Sequence, residues 1–148
     1  MNLELQLLRT RHPPDIFLLQ LILLLESEGV DIDEEQLRYR IERLPGDNRL
    51  ILAVEGEHLY GYAHLLIVHD LLDTETAVLS SLIVREDHRR QGIGSLLVAA
   101  AETWARQSDR ARLILRTDAA RTGSHAFFAA LGYEGNSSKL EFLRKVID

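Results

Sequence analysis

Residues 75–107 combine an apolar strand, a turn with two glycines and an Ala-rich helix, and this combination strongly limits how the chain can fold. Residues 78–84 are rich in β-branched and aliphatic side chains, which favours a β-strand. Residues 95–107 are rich in Ala and Leu, which favours an α-helix. Between them, Gly92 and Gly94 permit a tight turn whose backbone N–H groups lie at the positive end of the helix. The segment therefore predicts an anion-binding turn at a helix start.

Two common phosphate-binding motifs do not fit this turn. A P-loop places Lys and then Ser or Thr after its last glycine, whereas Gly94 is followed by Ser95 and Leu96. A dinucleotide-binding turn needs a third small residue, where this chain has Leu97. That motif also begins directly after its strand, but here residues 85–91 intervene. The anion is therefore of another kind.

The spacing Arg89-x-x-Gly92-x-Gly94 after an apolar strand resembles the acyl-CoA signature of the GCN5-related N-acetyltransferase (GNAT) family. Two other stretches add to this resemblance. Residues 124–133 are similar to the family's second block, a short helix that ends in Gly and an aromatic residue, and residues 61–63 are similar to its third strand. An ordinary loop with surface arginines is the alternative interpretation, but it does not explain two glycines at a helix start.

The resemblance implies that acetyl-CoA is bound as a co-substrate. The family's glycine turn holds the pyrophosphate of acetyl-CoA, and the corresponding residues here are Arg89, Arg90, Gln91, Gly92, Ile93, Gly94 and Ser95. In the family, the preceding strand separates from the next one, so that its free amides meet the pantetheine and the thioester. The resemblance assigns this role, including stabilisation of the oxyanion, to the backbone of Leu82, Ile83 and Val84.

The residues that would move protons depart from the family pattern. Many relatives have a Glu where this chain has Ser80, and a Tyr acid where this chain has Phe128. A phenyl ring carries no proton and a serine hydroxyl is too weak a base, so neither replacement performs the usual role. His125, on the predicted short helix beside Phe128, is a candidate substitute. His64 is interpreted first as a buried, hydrogen-bonded residue of a strand.

Composition excludes several other classes of protein. The chain has 148 residues, which predicts a single domain over 1–148. A formal net charge of −6 argues against a nucleic-acid surface, and without any Cys there is neither a disulfide nor a Cys-ligated zinc. The histidines lack ligand spacing, so no metal is expected. The apolar run 16–25 is too short to span a membrane and is interpreted as a buried helix of a cytoplasmic protein.

The order of patterns predicts an α+β fold with a mixed central β-sheet flanked by about four helices. The predicted order is strand, two helices, three strands, helix, strand, helix, strand. Predicted strands cover residues 3–8, 49–55, 58–69, 78–84, 112–116 and 139–146, the fifth of them short and buried. Predicted helices cover 16–25, a second one opened by a capping box at Asp33 and Gln36, then 95–107 and 125–131.

The functional hypothesis is an N-acetyltransferase that moves the acetyl group of acetyl-CoA to a primary amine by direct attack. The acceptor is a small molecule or a peptide, and acidic residues between the first two helices are candidates to attract it: Glu26, Glu28, Asp31 and Asp33. Two alternatives stay open. Ser80 and Phe128 favour a non-catalytic acyl-CoA sensor, and an interaction protein that kept only the fold is the third hypothesis. A homodimer is compatible with each of them.

Overall fold

The computed structural model describes residues 4–88, 92–116, 122–135 and 142–147. Two compact units, 1–116 and 117–148, are described separately. The strands of the first unit are β1 (Gln6–Thr10), β2 (Arg49–Glu55), β3 (His58–Ile67), β4 (Thr76–Val84) and β5 (Arg112–Leu115). Its helices are α1 (Leu18–Ser27), α2 (Glu34–Glu42) and α3 (Ile93–Gln107), and the second unit contains α4 (Thr122–Ala130).

The strands form one sheet in the order β1-β2-β3-β4-β5. The first four are antiparallel to their neighbours, whereas β5 runs parallel to β4. A parallel neighbour needs a crossover, and α3 provides it between β4 and β5. The predicted mixed α+β fold is confirmed.

Each face of the sheet is covered by different helices. Leu50, Leu52 and Ile83 belong to a buried cluster with α1 and α2. Ile51 and Ala53 alternate with these residues along β2, so they point to the opposite face, and they are also buried. The buried side of α3 contains the residues that helical spacing predicted: Ile93, Leu97, Ala101 and Trp104. Since α3 contacts β2, β3, β4 and β5, this second face is the α3 side.

Three predicted elements differ from the structure. The helix predicted as buried, α1, is amphipathic because it lies on one face of the sheet, and Leu19 and Leu23 are 65% and 64% exposed. β5 is only partly buried, with Ile114 42% exposed, because the residues described beyond it include no further strand that covers its edge. In the predicted last strand, residues 142–146 have no regular secondary structure, and 139–141 lie outside the described residues.

Other local predictions are confirmed. The capping box at the start of α2 is present, since Asp33 accepts from the N–H of Gln36 and the Gln36 side chain accepts from the N–H of Asp33. The hairpin of β2 and β3 turns at Gly56, whose φ is 57°. In the part of the chain that the structure describes, no helix is long and apolar enough to cross a bilayer.

Gly61 allows β3 and β4 to approach closely, and this generates a stability prediction. A Cβ at this position would lie 2.9 Å from the carbonyl oxygen of Ile83 and 3.3 Å from Cα of Val84. Gly61→Ala should therefore lower the free energy of unfolding by about 1–3 kcal/mol, as overpacking does, in urea titrations. Gly135→Ala is the matched control, because its Cβ would have nothing within 4 Å. Equal stabilities of the two variants would contradict the close approach.

Candidate functional site

β4 has two neighbours along its first half and one along its second half. Its parallel ladder with β5 begins at Thr76 and ends where Leu79 pairs with Leu115. β4 itself continues to Val84, and its pairing with β3 continues to the same residue. In the described ranges, no strand pairs with the other side of residues 80–84. Residues 80–84 therefore form an edge of β4 that no described strand covers, and we call the space beside this edge the cleft.

A β-bulge at Ser80 marks the beginning of this cleft. Ser81 pairs with His64 and Leu79 pairs with Leu65, so Ser80 is the extra residue on β4. The bulge reverses which backbone groups face which neighbour. Before it, the carbonyl of Leu79 points to β5 and accepts from the N–H of Arg116 at 3.1 Å.

After the bulge, backbone groups of β4 are directed at the cleft. The N–H of Arg85 donates to the carbonyl of Tyr60 on β3 at 2.7 Å. Alternation along the strand then directs the N–H of Ile83 to β3 and that of Leu82 to the cleft, and Val84 shares the direction of Leu82. The bulge thus directs the amide of Leu82 at the cleft, whereas Ile83 contributes its side chain to the core.

Gly92 begins the helix that follows the cleft. It is the N-cap of α3 in the left-handed conformation with φ 80°, which favours glycine. α3 begins at Ile93, two residues earlier than predicted, and the Leu96 N–H donates to the Gly92 carbonyl at 3.1 Å. The N–H groups of the first turn, from Ile93 to Ser95, precede that bond. A Cβ at Gly92 would have nothing within 4 Å, so a ligand can approach.

Side-chain contacts hold residues 85–88, which directly follow β4. Arg85 donates to both carboxylate oxygens of Asp87 at 3.2 and 2.9 Å, and His88 Nδ1 lies 2.9 Å from Asp87. The rings of His88 and Tyr60 lie 4.4 Å apart. The His88 hydrogen bond, followed by that of Arg85, holds the pKa of Asp87 below its ordinary value. The sequence indicated a basic turn, but the side chains of Arg85 and His88 contact Asp87, while Arg89, Arg90 and Gln91 lie outside the described residues.

Polar side chains occupy the α1 and α2 face beside the cleft. The Tyr62 hydroxyl and Ser81 Oγ lie 2.9 Å apart across β3 and β4. Burial raises the pKa of the Tyr62 phenol, the hydrogen bond with Ser81 lowers it, and the charge of Glu28 raises it further. Tyr62 therefore keeps its proton at neutral pH. Sequence analysis did not single out this pair, although two adjacent serines inside an apolar strand were a usable signal.

A second polar group on the same face is a chain of four side chains. His64 Nε2 lies 2.8 Å from Asn48 Oδ1, and Asn48 Nδ2 donates to Asp47 Oδ1 at 3.1 Å. The other carboxylate oxygen of Asp47 contacts Nε2 of the exposed His69. This hydrogen bond to His69 is the main reason why the pKa of Asp47 is lowered. The predicted hydrogen bond of His64 is confirmed, but the residue is half-buried and not buried as predicted, because it lies near the end of the polar face.

The remaining candidates fall into two groups. His125 and Phe128 lie on α4 in the second unit, where the Phe127 and Phe128 rings pack with centroids 5.4 Å apart. Of the acidic residues, Asp33 is used as the N-cap of α2, whereas Glu26 and Asp31 are exposed. Within the described ranges, no three His, Cys, Asp or Glu side chains come together as a metal site would require.

Comparison with known families gives the class of this protein. A model of the acetyltransferase (GNAT) family matches residues 17–133, and the chain belongs to this family. Acetyl transfer is the chemistry that defines the family. No match to the chain was found among curated proteins.

Solved structures share the whole fold at low sequence identity. Aminoglycoside N-acetyltransferase AAC(6')-Iy in complex with CoA has a TM-score of 0.83 and 18% identity, over 99% of this chain and 98% of that chain. An aminoglycoside acetyltransferase from an uncultured soil metagenomic sample, in complex with sisomicin, has a TM-score of 0.78 and 17% identity, over 97% of each chain. A transcriptional regulator from Bacillus halodurans C-125 has a TM-score of 0.78 and 20% identity, over 95% of this chain and 100% of that chain.

The His64–Asn48 pair generates a second stability prediction. Asn48→Leu leaves the half-buried His64 N–H without its acceptor, and should cost about 1–3 kcal/mol of unfolding free energy. The bond from Asn48 to Asp47 is lost equally in the single variant Asn48→Leu and in the double variant His64→Leu with Asn48→Leu. The double variant leaves no unpaired His64 N–H, so its loss should be smaller than the sum of the two single losses. Urea unfolding of the wild type and the three variants measures this coupling. Additive losses would contradict a direct hydrogen bond.

Proposed function

We propose that the chain is a single-domain N-acetyltransferase that moves the acetyl group of acetyl-CoA to a primary amine of a small molecule. The observation that carries the proposal is the combination of a cleft at residues 80–84 with a left-handed glycine at the next helix start. A strand edge offers amides to a thioester, and a helix start offers amides to a pyrophosphate. One continuous segment of chain supplies both. The family match crosses the boundary between the two units, which supports one domain over 1–148.

In the proposed complex, the pyrophosphate binds the first-turn amides of Ile93, Gly94 and Ser95. Arg89, Arg90 and Gln91 precede Gly92 in sequence, and we assign to the two arginines the charge that neutralises the phosphates. The thioester lies along the cleft, where the Leu82 amide donates to the oxyanion that develops on attack. Val84 follows Leu82 in the same direction and borders the pantetheine. The lack of Cys is consistent with direct transfer without an acyl-enzyme.

The small-molecule amine acceptor is supported by the comparisons. Two of the structurally similar proteins are aminoglycoside acetyltransferases, and this chain covers at least 97% of their lengths. Glu28 lies close enough to Tyr62 to raise its pKa, so a negative charge borders the polar face beside the cleft. A cationic amine would be attracted there.

A panel of amines tests this proposal. Sisomicin, a polyamine, free lysine and a peptide with a free N-terminus are each incubated with acetyl-CoA, and free thiol is measured. We expect thiol release with at least one small-molecule amine, in proportion to acetylated product. Thiol release with the peptide alone would mean that the acceptor is a peptide and not a small molecule. No thiol release with any amine would contradict the proposal that the protein is an acetyltransferase.

An acyl-CoA sensor is the second candidate function. Ser80 at the bulge and Phe128 on α4 lack the acid–base chemistry of the usual residues, and one structurally similar protein is a transcriptional regulator. A sensor binds CoA as tightly as an enzyme but releases no thiol with any amine. Thermal stabilisation by CoA without turnover would therefore favour the sensor.

The left-handed glycine at the helix start generates the binding prediction. Gly92→Val introduces a side chain in front of the first-turn amides, so CoA affinity should fall by at least tenfold. Gly29→Val is the matched control, since Gly29 has nearly the same φ, 83°, and also has nothing within 4 Å of an added Cβ. Both variants should lose similar stability through backbone strain, of order 1–3 kcal/mol.

Thermal shift with CoA is the measurement. The wild type and Gly29→Val should gain about 2.7 kcal/mol at a CoA concentration one hundred times the dissociation constant. Gly92→Val should gain much less at the same concentration. Equal stabilisation of the two variants would mean that CoA binds away from the start of α3.

A further inference from the structure

The face beside the cleft needs a base, because an acceptor ammonium has no lone pair with which to attack. An alkyl ammonium has a pKa of about 10.4 and must lose a proton before it attacks a thioester. At the bulge, Ser80 offers only a hydroxyl. Tyr62 and Ser81 share a hydrogen bond, and both keep their protons at neutral pH. The base has to come from another side chain of this face.

His64 is placed on this face, one strand away from the cleft. Its Cα partner on β4 is Ser81, the residue directly after the bulge, and its β2 partner Leu50 belongs to the cluster covered by α1 and α2. The imidazole is partly exposed, so the side chain is reachable from solvent. Adjacent strands lie about 4.8 Å apart, so one water molecule spans the remaining distance to a molecule at the edge of β4.

The hydrogen-bond chain determines which nitrogen of His64 carries the proton. Asn48 Nδ2 donates to Asp47, which fixes the orientation of the amide and presents Oδ1 to His64. A carbonyl oxygen only accepts, so His64 Nε2 is the N–H donor. Nδ1 then carries the lone pair. His69 completes the chain by holding the Asp47 carboxylate from the solvent side.

We propose that His64 is the general base of this acetyltransferase, and that its Nδ1 takes the proton of the acceptor ammonium through one bridging water. This inference rests on the proposed function. Asn48 is a positioning residue, since it acts on the reaction only by holding the tautomer and orientation of His64. The arrangement follows the logic by which a third group orients a catalytic histidine, with Asn48 and Asp47 in that role.

The step balances without a further reactant. One proton passes from the ammonium to Nδ1, and the neutral amine attacks the thioester carbonyl to form the C–N bond. The C–S bond then breaks, and the second nitrogen proton ends on the departing sulfur. His64 afterwards returns its proton to solvent. The products are an N-acetylated amine and CoA thiol, with no change in oxidation state.

The surroundings of His64 keep the base neutral. Burial lowers its pKa below the ordinary value of 6.5, so the lone pair is present at neutral pH. Burial alone accounts for this shift, although ionisable groups lie on several of the elements around His64. They are Asp47 and His69 beyond Asn48, Tyr62 and Glu28 on the same face, and Arg11, His12 and Glu42 around a cavity of about 30 Å³ next to Asn48 and Leu50.

The pH dependence of kcat/KM tests the proposal. The wild type should show an acid limb with a midpoint below about 6.5, since activity requires neutral His64. His64→Gln should lower kcat by about a hundredfold or more, in the range typical of a general base, and remove this limb. The KM for acetyl-CoA should change little, because His64 lies outside the proposed CoA site. His58→Gln, at the exposed start of β3, is the histidine control and should behave as wild type.

A second variant separates catalysis from folding. Asn48→Asp keeps His64 in place and puts a carboxylate against its Nε2–H, which favours the imidazolium and should move the acid limb to higher pH. A purely structural role of Asn48 would lower activity without moving the limb. Far-UV circular dichroism and stabilisation by CoA confirm that each variant is folded. If His64→Gln does not fold, the pH shift of the acid limb in Asn48→Asp tests whether His64 is the base.

The outcomes distinguish failure of the proposed function from failure of the assignment of His64. If the wild type acetylates no amine, the proposed function and the assignment of His64 as general base are both contradicted. A second outcome is that the wild type is active, and that His64→Gln keeps the acid limb and at least a third of the wild-type kcat. In that case only the assignment of His64 as the base is overturned. Glu28→Gln is measured in parallel, and loss of the limb in that variant instead of His64→Gln would transfer the role to Glu28. An acid limb at the wild-type pH in Asn48→Asp would also contradict the assignment of His64 as the base.

Discussion

The functional architecture of this protein depends on how β4 satisfies its backbone hydrogen bonds. Buried N–H and C=O groups need partners, and among the described strands β4 has a ladder on both sides only as far as Leu79. The bulge at Ser80 then reverses which backbone groups of β4 face β3, while the pairing with β3 continues. As a result the side chain of Ile83 stays in the core, and the Leu82 amide is directed at the cleft.

The same segment of chain also contains the proposed anion-binding turn. Because β5 is parallel to β4, the chain has to cross over, and α3 begins nine residues after the end of β4. Gly92 starts this helix in a left-handed conformation. Contacts among Arg85, Asp87, His88 and Tyr60 hold residues 85–88 against β3. In the proposed complex, one short stretch of chain therefore supplies both the thioester site and the pyrophosphate site.

The polar face suggests how acid–base chemistry is rearranged in this member of the family. The bulge position carries Ser80, and the neighbouring strand carries Tyr62 and His64 within a largely apolar surface. Buried polar side chains are costly unless each one is hydrogen-bonded. Here Tyr62 and His64 each have a partner, and the chain of hydrogen bonds from His64 to His69 reaches the surface. Such an arrangement holds an imidazole in one orientation, which is what a proton acceptor requires.

Sequence alone determined the order of elements from β1 to α4, the helix-start glycine and most of the core, because these depend on local periodicity and backbone preference. The apolar face of α3 and the capping box at Asp33 are clear examples. Partners distant in sequence were decided only by the tertiary structure. The extent of the β4–β5 ladder, the bulge at Ser80 and the contact of His64 with Asn48 all depend on register between strands. A register shift of one residue leaves the sequence pattern unchanged but exchanges which groups face a neighbour and which face the cleft.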